Sequence, residues 1–500
     1  MSTQTFQIIA LAIYFLAMIG IGLWAKTKNN NLDDYILGGR SLSPTTAALS
    51  AGAADMSGWL LMGLPGALYI TGLAEAWMAI GLTLGAWTNW KIVAPRLRSY
   101  TAVSRNSTTV PVFFHNRLRD NTKLLRILTS LITLVFFTFY ASSGMVAGGK
   151  FFQSTFDLPY IWGMLLIAGV TVLYTLFGGF LGASYTDMVQ GLLMLAALLV
   201  LPVMALFYVG GFTGAVDTIQ QVNPQALSMF TGTTFLGIIS TAAWGLGYFG
   251  QPHIITRFMA LRSVHDATAA RRIGIGWMVL TVVGACSAGL IGIAFFAKHP
   301  EAKLTDTANA ESVFLDLSQI LFHPFISGFV LAAVLAAIMS TLSSQLVVCS
   351  SSLAEDLYGA VSSKRLSDYK GLWLGRAGVL VIAFIAVLLA LNPDSSVLEL
   401  VSFAWAGFGA AFGPIVLLSL YWRKLTNWGA IAGLIGGTIT VFIWGNIEAL
   451  HTAMYEIVPG FLVNIVLAVV ISLVTYKPNA EIDEEFDAAI AGVHHRSVES

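Results

Sequence analysis

Long apolar stretches separated by short polar ones run along the whole chain. Because lipid offers no hydrogen-bond partners, the backbone polar groups must be satisfied within each stretch, which predicts α-helices. A helix needs about 20 apolar residues to cross a bilayer. Thirteen stretches meet that need, at roughly 6–24, 45–70, 73–93, 127–150, 159–177, 187–208, 233–256, 274–296, 325–353, 373–391, 398–421, 429–447 and 459–475. The pattern therefore predicts an all-α polytopic membrane protein with about thirteen spans.

Composition and charge support this class and predict an orientation. Of the 500 residues, 56% are hydrophobic and 10% are charged, whereas a soluble domain carries about 25% charged residues. If the N-terminus lies outside, only Lys150, Lys298 and Lys303 among the 26 basic residues face outward. Basic residues gather on the cytoplasmic side. We therefore expect an outer N-terminus and a cytoplasmic C-terminus, and the basic loops mark topology rather than nucleic-acid binding.

The domain organisation is simple. Residues 1–477 are predicted to form one membrane domain, followed by a cytoplasmic tail at 478–500 that we expect to be mobile. No loop is long enough for a soluble catalytic domain. No nucleophile–base pair, phosphate loop or metal motif is evident, so an enzyme is not expected. The two cysteines, Cys286 and Cys349, predict no disulfide framework.

Two spans carry residues that interrupt helices. Span 45–70 contains Gly58 and Pro65, and within span 233–256 the stretch Ala242–His253 contains three glycines and Pro252. These are the second and seventh spans, and broken helices in corresponding positions of two halves indicate an inverted-repeat transporter with a site near the membrane centre. Spans 2–6 and 7–11, within 43–256 and 257–421, would form the repeats, with spans 1, 12 and 13 peripheral. The alternative is that membrane helices simply tolerate glycine.

Asp55 lies within the second span beside its predicted break. A carboxylate at that depth costs roughly 2.5–3.5 kcal/mol, and no Lys or Arg is expected at mid-membrane to neutralise it. The acid could cap the second half-helix or stand beside a bound cation. A hard cation such as Na⁺ prefers several oxygen ligands, which unwound carbonyls near Ala53 and Met56 could supply.

A hydroxyl-rich face on the ninth span could complete such a cation site. Ala337, Ser340 and Thr341 stand at i, i+3 and i+4, so they share one face of a helix. Small and hydroxyl residues also mediate close helix packing, and serine and threonine often bond back to their own helix. Spacing alone leaves these alternatives open.

Four aromatic residues, Trp59, Tyr140, Trp244 and Tyr248, lie inside spans rather than at the membrane interfaces where such residues gather. Together with half-helix amino ends they would suit a small zwitterion with an apolar ring, although ordinary packing is the alternative. A second acid, Asp187, opens the sixth span and resembles a helix N-cap.

Five motifs resemble the sodium:solute symporter family. They are Asp33–Leu42, Ala51–Gly66, Trp244–His253, Leu335–Ser343 and Ala404–Pro414. The resemblance covers essentially the whole chain except the tail. It implies a leucine-transporter-type fold with a five-plus-five inverted repeat, located in the bacterial cytoplasmic membrane, that couples Na⁺ to uptake of L-proline.

The resemblance also implies roles for individual residues. Na⁺ would be held by Ala53, Met56, Ala337, Ser340 and Thr341, with Asp55 close by. The solute would lie against Ser57, Gly58, Trp59, Tyr140, Trp244, Tyr248, Pro252 and Ser344. Arg40 and Asp187 would assist coupling.

The same resemblance sets the expected partners. Lipid and the two transported species would be the partners, with no cofactor, nucleic acid or obligate protein. Ser344 departs from the cysteine common in enterobacterial relatives, which leaves solute preference open. Another solute, such as pantothenate or an osmolyte, or a channel-like or sensory protein, remains an alternative.

Overall fold

The structure, a computed structural model, describes residues 2–28, 32–302, 307–362, 368–392 and 396–494. Lys303 and residues 495–500 of the predicted tail lie outside these ranges, as does the side chain of Asp33. The described residues are almost entirely helical, and their only β-type pairing is an isolated bridge between Leu42 and Leu261.

The first half of the chain forms helices that are joined by short turns. In order they are α1 Thr3–Lys26, α2 Leu32–Leu37, α3 Pro44–Asp55, α4 Leu64–Thr71, α5 Ala76–Thr88, α6 Ala94–Val103, α7 Val110–Arg117, α8 Leu124–Phe156, α9 Tyr160–Tyr208, α10 Gly211–Val222, α11 Phe235–Ala242 and α12 Pro252–Met259.

The second half continues in the same way. Its helices are α13 Asp266–Lys298, α14 Val313–Leu321, α15 Pro324–Ser351, α16 Tyr358–Val361, α17 Asp368–Leu389, α18 Val397–Tyr421, α19 Asn427–Asn446, α20 Glu448–Ala453, α21 Ile457–Thr475 and α22 Ala480–His494.

Each of the thirteen predicted stretches coincides with helix, which confirms the all-α class. Within the described ranges, nine helical segments are both long and apolar enough to cross a membrane. The predicted fifth and sixth spans form one helix, α9, which is broken at Gly179 with φ of 57° and ψ of −152°. The Tyr35 ring packs against Gly179 there. The number of crossings and the sides of the termini stay predictions.

Both predicted helix breaks are confirmed. In the second span, α3 ends at Asp55, Met56 leaves helical geometry, and a π-helical turn at Trp59–Gly63 leads into α4. In the seventh span, α11 passes into a 3-10 helix at Ala243–Gly250, and α12 begins after an extended Gln251. Proline suits the start of α12 because the first helical turn leaves its N–H groups unpaired anyway.

Glycines let the second broken helix approach its neighbours closely. Gly245 lies against the backbone of Gly81 and Gly85 in α5, where a Cβ atom would collide with main-chain oxygen. The 3-10 segment also packs on α18. Small residues allow this backbone approach between membrane helices. Elsewhere α9 is central, in contact with α1, α3, α8, α13 and α15.

A pair of main-chain hydrogen bonds joins the two broken helices at one end. The Leu42 N–H donates to the Ala260 carbonyl at 3.1 Å, and the Arg262 N–H donates to the Leu42 carbonyl at 3.2 Å. The chain entering α3 is thereby tied to the chain leaving α12.

The expectation of a mobile tail is wrong for residues 480–494. These residues form α22, which packs on α6 and the loop after α7. Phe486 is buried against Tyr100 and the Arg117 guanidinium. Glu485 pairs with Arg119 at 2.7 Å. The acidic face of α22 thus neutralises basic loops while its apolar face is buried, a combination that the charge run alone did not reveal.

Candidate functional site

The break in the second span places the Asp55 carboxylate in the protein interior. Its Oδ2 accepts a hydrogen bond from the Tyr248 hydroxyl on the other broken helix. Its Oδ1 is buried and has no hydrogen-bond partner among the described residues. Among the described residues no backbone N–H donates to this carboxylate, so Asp55 does not cap the second half-helix. One buried carboxylate oxygen is left free to attract a cation.

Oxygen atoms from the two predicted sodium half-sites lie together. The Ser340 hydroxyl donates to the Ala53 carbonyl at 2.6 Å and also lies 3.2 Å from the Ala337 carbonyl. The Thr341 hydroxyl lies 3.2 Å from the same Ala337 oxygen. Two carbonyls and two hydroxyls therefore converge between α3 and α15.

The helix break explains why the Ala53 carbonyl is available. In a continuous helix this oxygen would accept the N–H of residue 57. Here the Ser57 N–H turns to the Asp55 carbonyl at 2.9 Å. Met56 carries the first non-helical peptide, and the described contacts do not join its carbonyl to the α15 hydroxyls. The structure therefore gathers four of the five predicted ligands.

The predicted aromatic residues surround the same break. The Tyr140 hydroxyl and the Trp59 indole N–H donate to the Asp55 carbonyl at 3.5 and 3.2 Å. The Trp59 and Trp244 rings lie 6.5 Å apart between centroids. With Tyr248 bonded to the Asp55 carboxylate, all four aromatics meet at one place.

Two further aromatics that sequence reasoning missed extend this wall. The Trp405 indole donates to the Trp244 carbonyl at 2.8 Å, and its ring meets Tyr248 edge-on at 5.2 Å. Tyr455 stacks on Trp244 at 5.3 Å. Trp405 lies in the motif Ala404–Pro414, so its position within a span was the available signal.

The remaining predicted solute contacts lie at the two half-helix starts. Gly58 is wedged between α8 and α15, where a Cβ atom would lie 3.2 Å from Ala147 and from Ile338. Pro252 is the first residue of α12. The next residue, His253, is fully buried 6.0 Å from Tyr140, and neither of its ring nitrogens has a described partner. His253 is a polar residue of this site that the sequence pattern did not indicate.

Asp187 has a different role from the expected helix cap. It lies inside α9, two turns past the Gly179 break, and is fully buried. Its Oδ2 pairs with Arg257 at 3.1 Å and accepts from the Ser50 hydroxyl at 2.8 Å. The capping prediction was wrong because the helix begins earlier than the apolar pattern suggested.

Arg257 is a buried basic side chain that pairs with Asp187, whereas no described basic side chain pairs with Asp55. It falls one residue beyond the predicted seventh span, yet its side chain has no exposure. It donates to Ser344 at 2.6 Å and to the His253 carbonyl at 2.7 Å. Ser344 therefore belongs to the ionic cluster of Asp187 and Arg257, and no described contact joins it to the aromatic wall.

Arg40 lies away from this site, on the side predicted to be cytoplasmic. Its guanidinium donates to the carbonyls of Met259 and Ser107, both at 2.8 Å. It also reaches the side chains of Asn106 and Thr101, both at 3.1 Å. Burial, and then the nearby charge of another arginine, lowers the pKa of Arg40 to about 10.

Comparison with known proteins gives consistent results over nearly the whole chain. A sequence model of the sodium:solute symporter family matches residues 35–437. The high-affinity proline transporter PutP of Bacillus subtilis is 52% identical, over 94% of this chain and 98% of its own length. The sodium/proline symporter of Escherichia coli is 50% identical, over 99% and 98%.

Solved structures show the same fold at low sequence identity. A Na⁺-coupled sialic acid symporter, in a substrate-bound outward-open state, superposes with a TM-score of 0.79 at 17% identity, covering 95% of this chain and 98% of that one. Mhp1, a nucleobase-cation-symport-1 family transporter, gives a TM-score of 0.53 at 14% identity, covering 91% and 98%. These likenesses confirm the leucine-transporter-type fold.

Proposed function

The chain belongs to the sodium:solute symporter family, and on that premise we propose that it couples inward movement of Na⁺ to uptake of L-proline by alternating access. It is a multi-pass transporter of the bacterial cytoplasmic membrane rather than an enzyme. The relatives at 50% and 52% identity carry proline in their names, which supports proline as the solute of this chain.

The observation that carries the proposal is the oxygen cluster between α3 and α15. Two carbonyls and two hydroxyls converge there. Asp55, whose Oδ1 has no described partner, is the last residue of α3, two positions after Ala53. Oxygen donors of this kind suit a hard cation. The Met56 carbonyl would complete the shell after a small rotation at the break, where the backbone is already non-helical.

The solute site would lie on the other side of Asp55, among Trp59, Tyr140, Trp244 and Tyr248. The amino ends of the half-helices at Gly58 and Pro252 carry partial positive charge and would meet a carboxylate. The aromatic faces would cover an apolar ring and a secondary ammonium group. Because Tyr248 and Tyr140 both bond Asp55, ion and solute would share one hydrogen-bonded network.

The membrane potential suffices to drive this reaction. One elementary charge that moves inward through 100 mV releases about 2.3 kcal/mol. At about 1.4 kcal/mol per factor of ten, this corresponds to roughly fiftyfold accumulation of solute. A Na⁺ concentration gradient would add to it. No cofactor beyond the transported ion enters the proposal.

The experiment is uptake of radiolabelled proline into proteoliposomes under an inward Na⁺ gradient. We expect uptake that saturates, disappears when K⁺ replaces Na⁺, and shows counterflow in preloaded vesicles. Uptake indifferent to Na⁺ would overturn the proposal. Competition by unlabelled pantothenate and by osmolytes then tests the solute, since complete inhibition by one of these at lower concentration than proline would reassign it.

A further inference from the structure

A small cavity lies next to the solute site on the side predicted to be cytoplasmic. Its volume is about 10 Å³, room for one water molecule. Pro252, at the start of α12, forms one end of it. Half of the lining residues carry hydroxyl groups, which suits a polar path: Thr108, Thr109, Thr133, Thr256, Ser351 and Ser352.

The floor of this cavity is a short connection between α6 and α7. Residues 108 and 109 of this connection line the cavity together with residues 110 and 111, which begin α7 and belong to the same floor. The Thr109 hydroxyl donates to Asp356 Oδ1 at 2.6 Å. The Thr109 hydroxyl oxygen also caps α7 by accepting the Val112 N–H at 3.2 Å. Thr109 thus joins the floor to the helical segment that continues α15.

Asp356 is a buried acid that the proposed transport chemistry does not use. Its side chain is fully buried, and its Oδ2 has no described hydrogen-bond partner. Arg126 Nε is 3.9 Å from Oδ1, beyond hydrogen-bond distance. The Thr109 hydroxyl bonds this carboxylate at 2.6 Å, and the Ser352 side chain adds a smaller contribution. Loss of the Thr109 bond would therefore leave a buried charge poorly compensated.

The other end of the floor is attached through Arg40. This guanidinium bonds the Ser107 carbonyl and the Asn106 side chain, and with another nitrogen it bonds the Met259 carbonyl at the end of α12. The floor is therefore fastened at one end to the broken helix and at the other end to α15.

We infer that residues 107–111 form the inner gate of the solute path, and that Asp356 is the positioning residue that keeps this gate closed through Thr109. The inference rests on the proposed transport function. A cavity of one water must widen before a solute as large as proline can pass. Residues 107–109 of the floor are not helical, so they can move and carry the start of α7 with them without breaking a helix, provided that the bond to Asp356 opens.

The test measures how readily the cavity is reached from the cytoplasmic side. Ser351→Cys places a reporter thiol in the cavity wall, in a chain with Cys286→Ala and Cys349→Ala. A membrane-impermeant thiol reagent is applied to inside-out vesicles without Na⁺ or proline. We expect Asp356→Ala and Thr109→Val each to raise the labelling rate about tenfold, since each removes a hydrogen bond to a charged group.

Thr133→Val is the matched control. It removes a hydroxyl from the same cavity, but that hydroxyl bonds only its own helix, at the Thr129 carbonyl, 2.9 Å away. Its labelling should equal that of the reporter chain. Thr109→Ser keeps both the bond and the cap, so it should also label slowly. If Asp356→Ala fails to reach the membrane, Thr109→Val decides.

Equal labelling in Thr109→Val and Thr133→Val, or fast labelling in Thr109→Ser, would overturn the gate. These outcomes are independent of the solute because none is present. If the labelling rates are as expected but the protein takes up no proline in the uptake assay, only the proposed solute is refuted.

Discussion

The Ser340 hydroxyl lies 2.6 Å from the Ala53 carbonyl oxygen, although the two residues are 287 positions apart in sequence. This contact spans α3 and α15, which belong to different halves of the molecule. A cation bound there would hold the two helices together, so binding and release of the ion would change the distance between them. Ion binding and helix movement are thereby physically joined.

Replacing Ser340 by alanine should weaken Na⁺ binding while leaving the fold intact. The change removes one of the four converging oxygens, and we expect the Na⁺ concentration for half-maximal uptake to rise about tenfold, a loss of about 1.4 kcal/mol. Ser343→Ala is the control, because its hydroxyl bonds the Ser340 carbonyl within the same helix at 3.0 Å. Equal Na⁺ dependence in both variants would contradict the site.

Asp55→Asn should abolish coupled uptake without preventing membrane insertion. The neutral amide keeps an acceptor for Tyr248 but loses the attraction for a cation, which at 4 Å is about 4 kcal/mol with an effective dielectric constant near 20. Na⁺-driven uptake should fall at least about a hundredfold. Yield and helical circular dichroism should match those of Asp217→Asn, the same change at an exposed acid of α10. Near-normal Na⁺ dependence would refute the role of Asp55.

Asp187→Asn should be strongly destabilising because it leaves the Arg257 guanidinium buried without its carboxylate. Breaking a buried pair by removing one partner costs about 3–5 kcal/mol. The double variant Asp187→Asn with Arg257→Gln removes both charges and should recover much of that loss. Thermal unfolding in detergent measures both. Additive effects of the two changes would show that the charges do not interact.

Attachment of α22 should depend on salt and on pH. Hydrogen bonds from Arg119 and then Arg105 lower the pKa of Glu481, so its stabilising contribution is present above the ordinary glutamate value, about 4.3. That contribution is lost as the pH falls through the lower folded-state pKa. Salt screens the exposed pairs as well.

Limited proteolysis of the tail measures this attachment. Cleavage within 480–494 should accelerate in high salt, at low pH and in Phe486→Ala, which removes the buried anchor. Val493→Ala, near the end of α22, serves as the control. Cleavage that is equally fast under all conditions would mean that α22 is not held by these contacts.

The sequence predicted the features that come from local chemistry. Hydrophobic length located the helices, and the glycine and proline positions located both breaks, because those residues change backbone preferences wherever they occur. The i, i+3, i+4 spacing of Ala337, Ser340 and Thr341 correctly placed them on one face. The predicted break supplied their counterpart, the carbonyls near Ala53 and Met56, and the family resemblance assigned both groups to Na⁺.

What the sequence could not supply was the partner of each buried charge. Arg257 lay just beyond an apolar run, where position alone suggests an interfacial residue. Only the folded arrangement of α9, α12 and α15 reveals that its guanidinium bonds both Asp187 and Ser344. The attachment of α22 was not predicted for the same reason. The acidic run was expected to be mobile because its basic partners could not be identified from the sequence.

The joint between the broken helices uses main-chain atoms alone. Leu42 and Arg262 each contribute an N–H to it, and any residue except proline has that group. Because the Arg262 side chain is exposed, it can vary with little effect on the joint, whereas the buried Leu42 must also stay apolar. Proline at either position would remove one of the two hydrogen bonds. Mutational scans should therefore find that position 262 accepts most residues but not proline, and that position 42 accepts apolar residues but not proline.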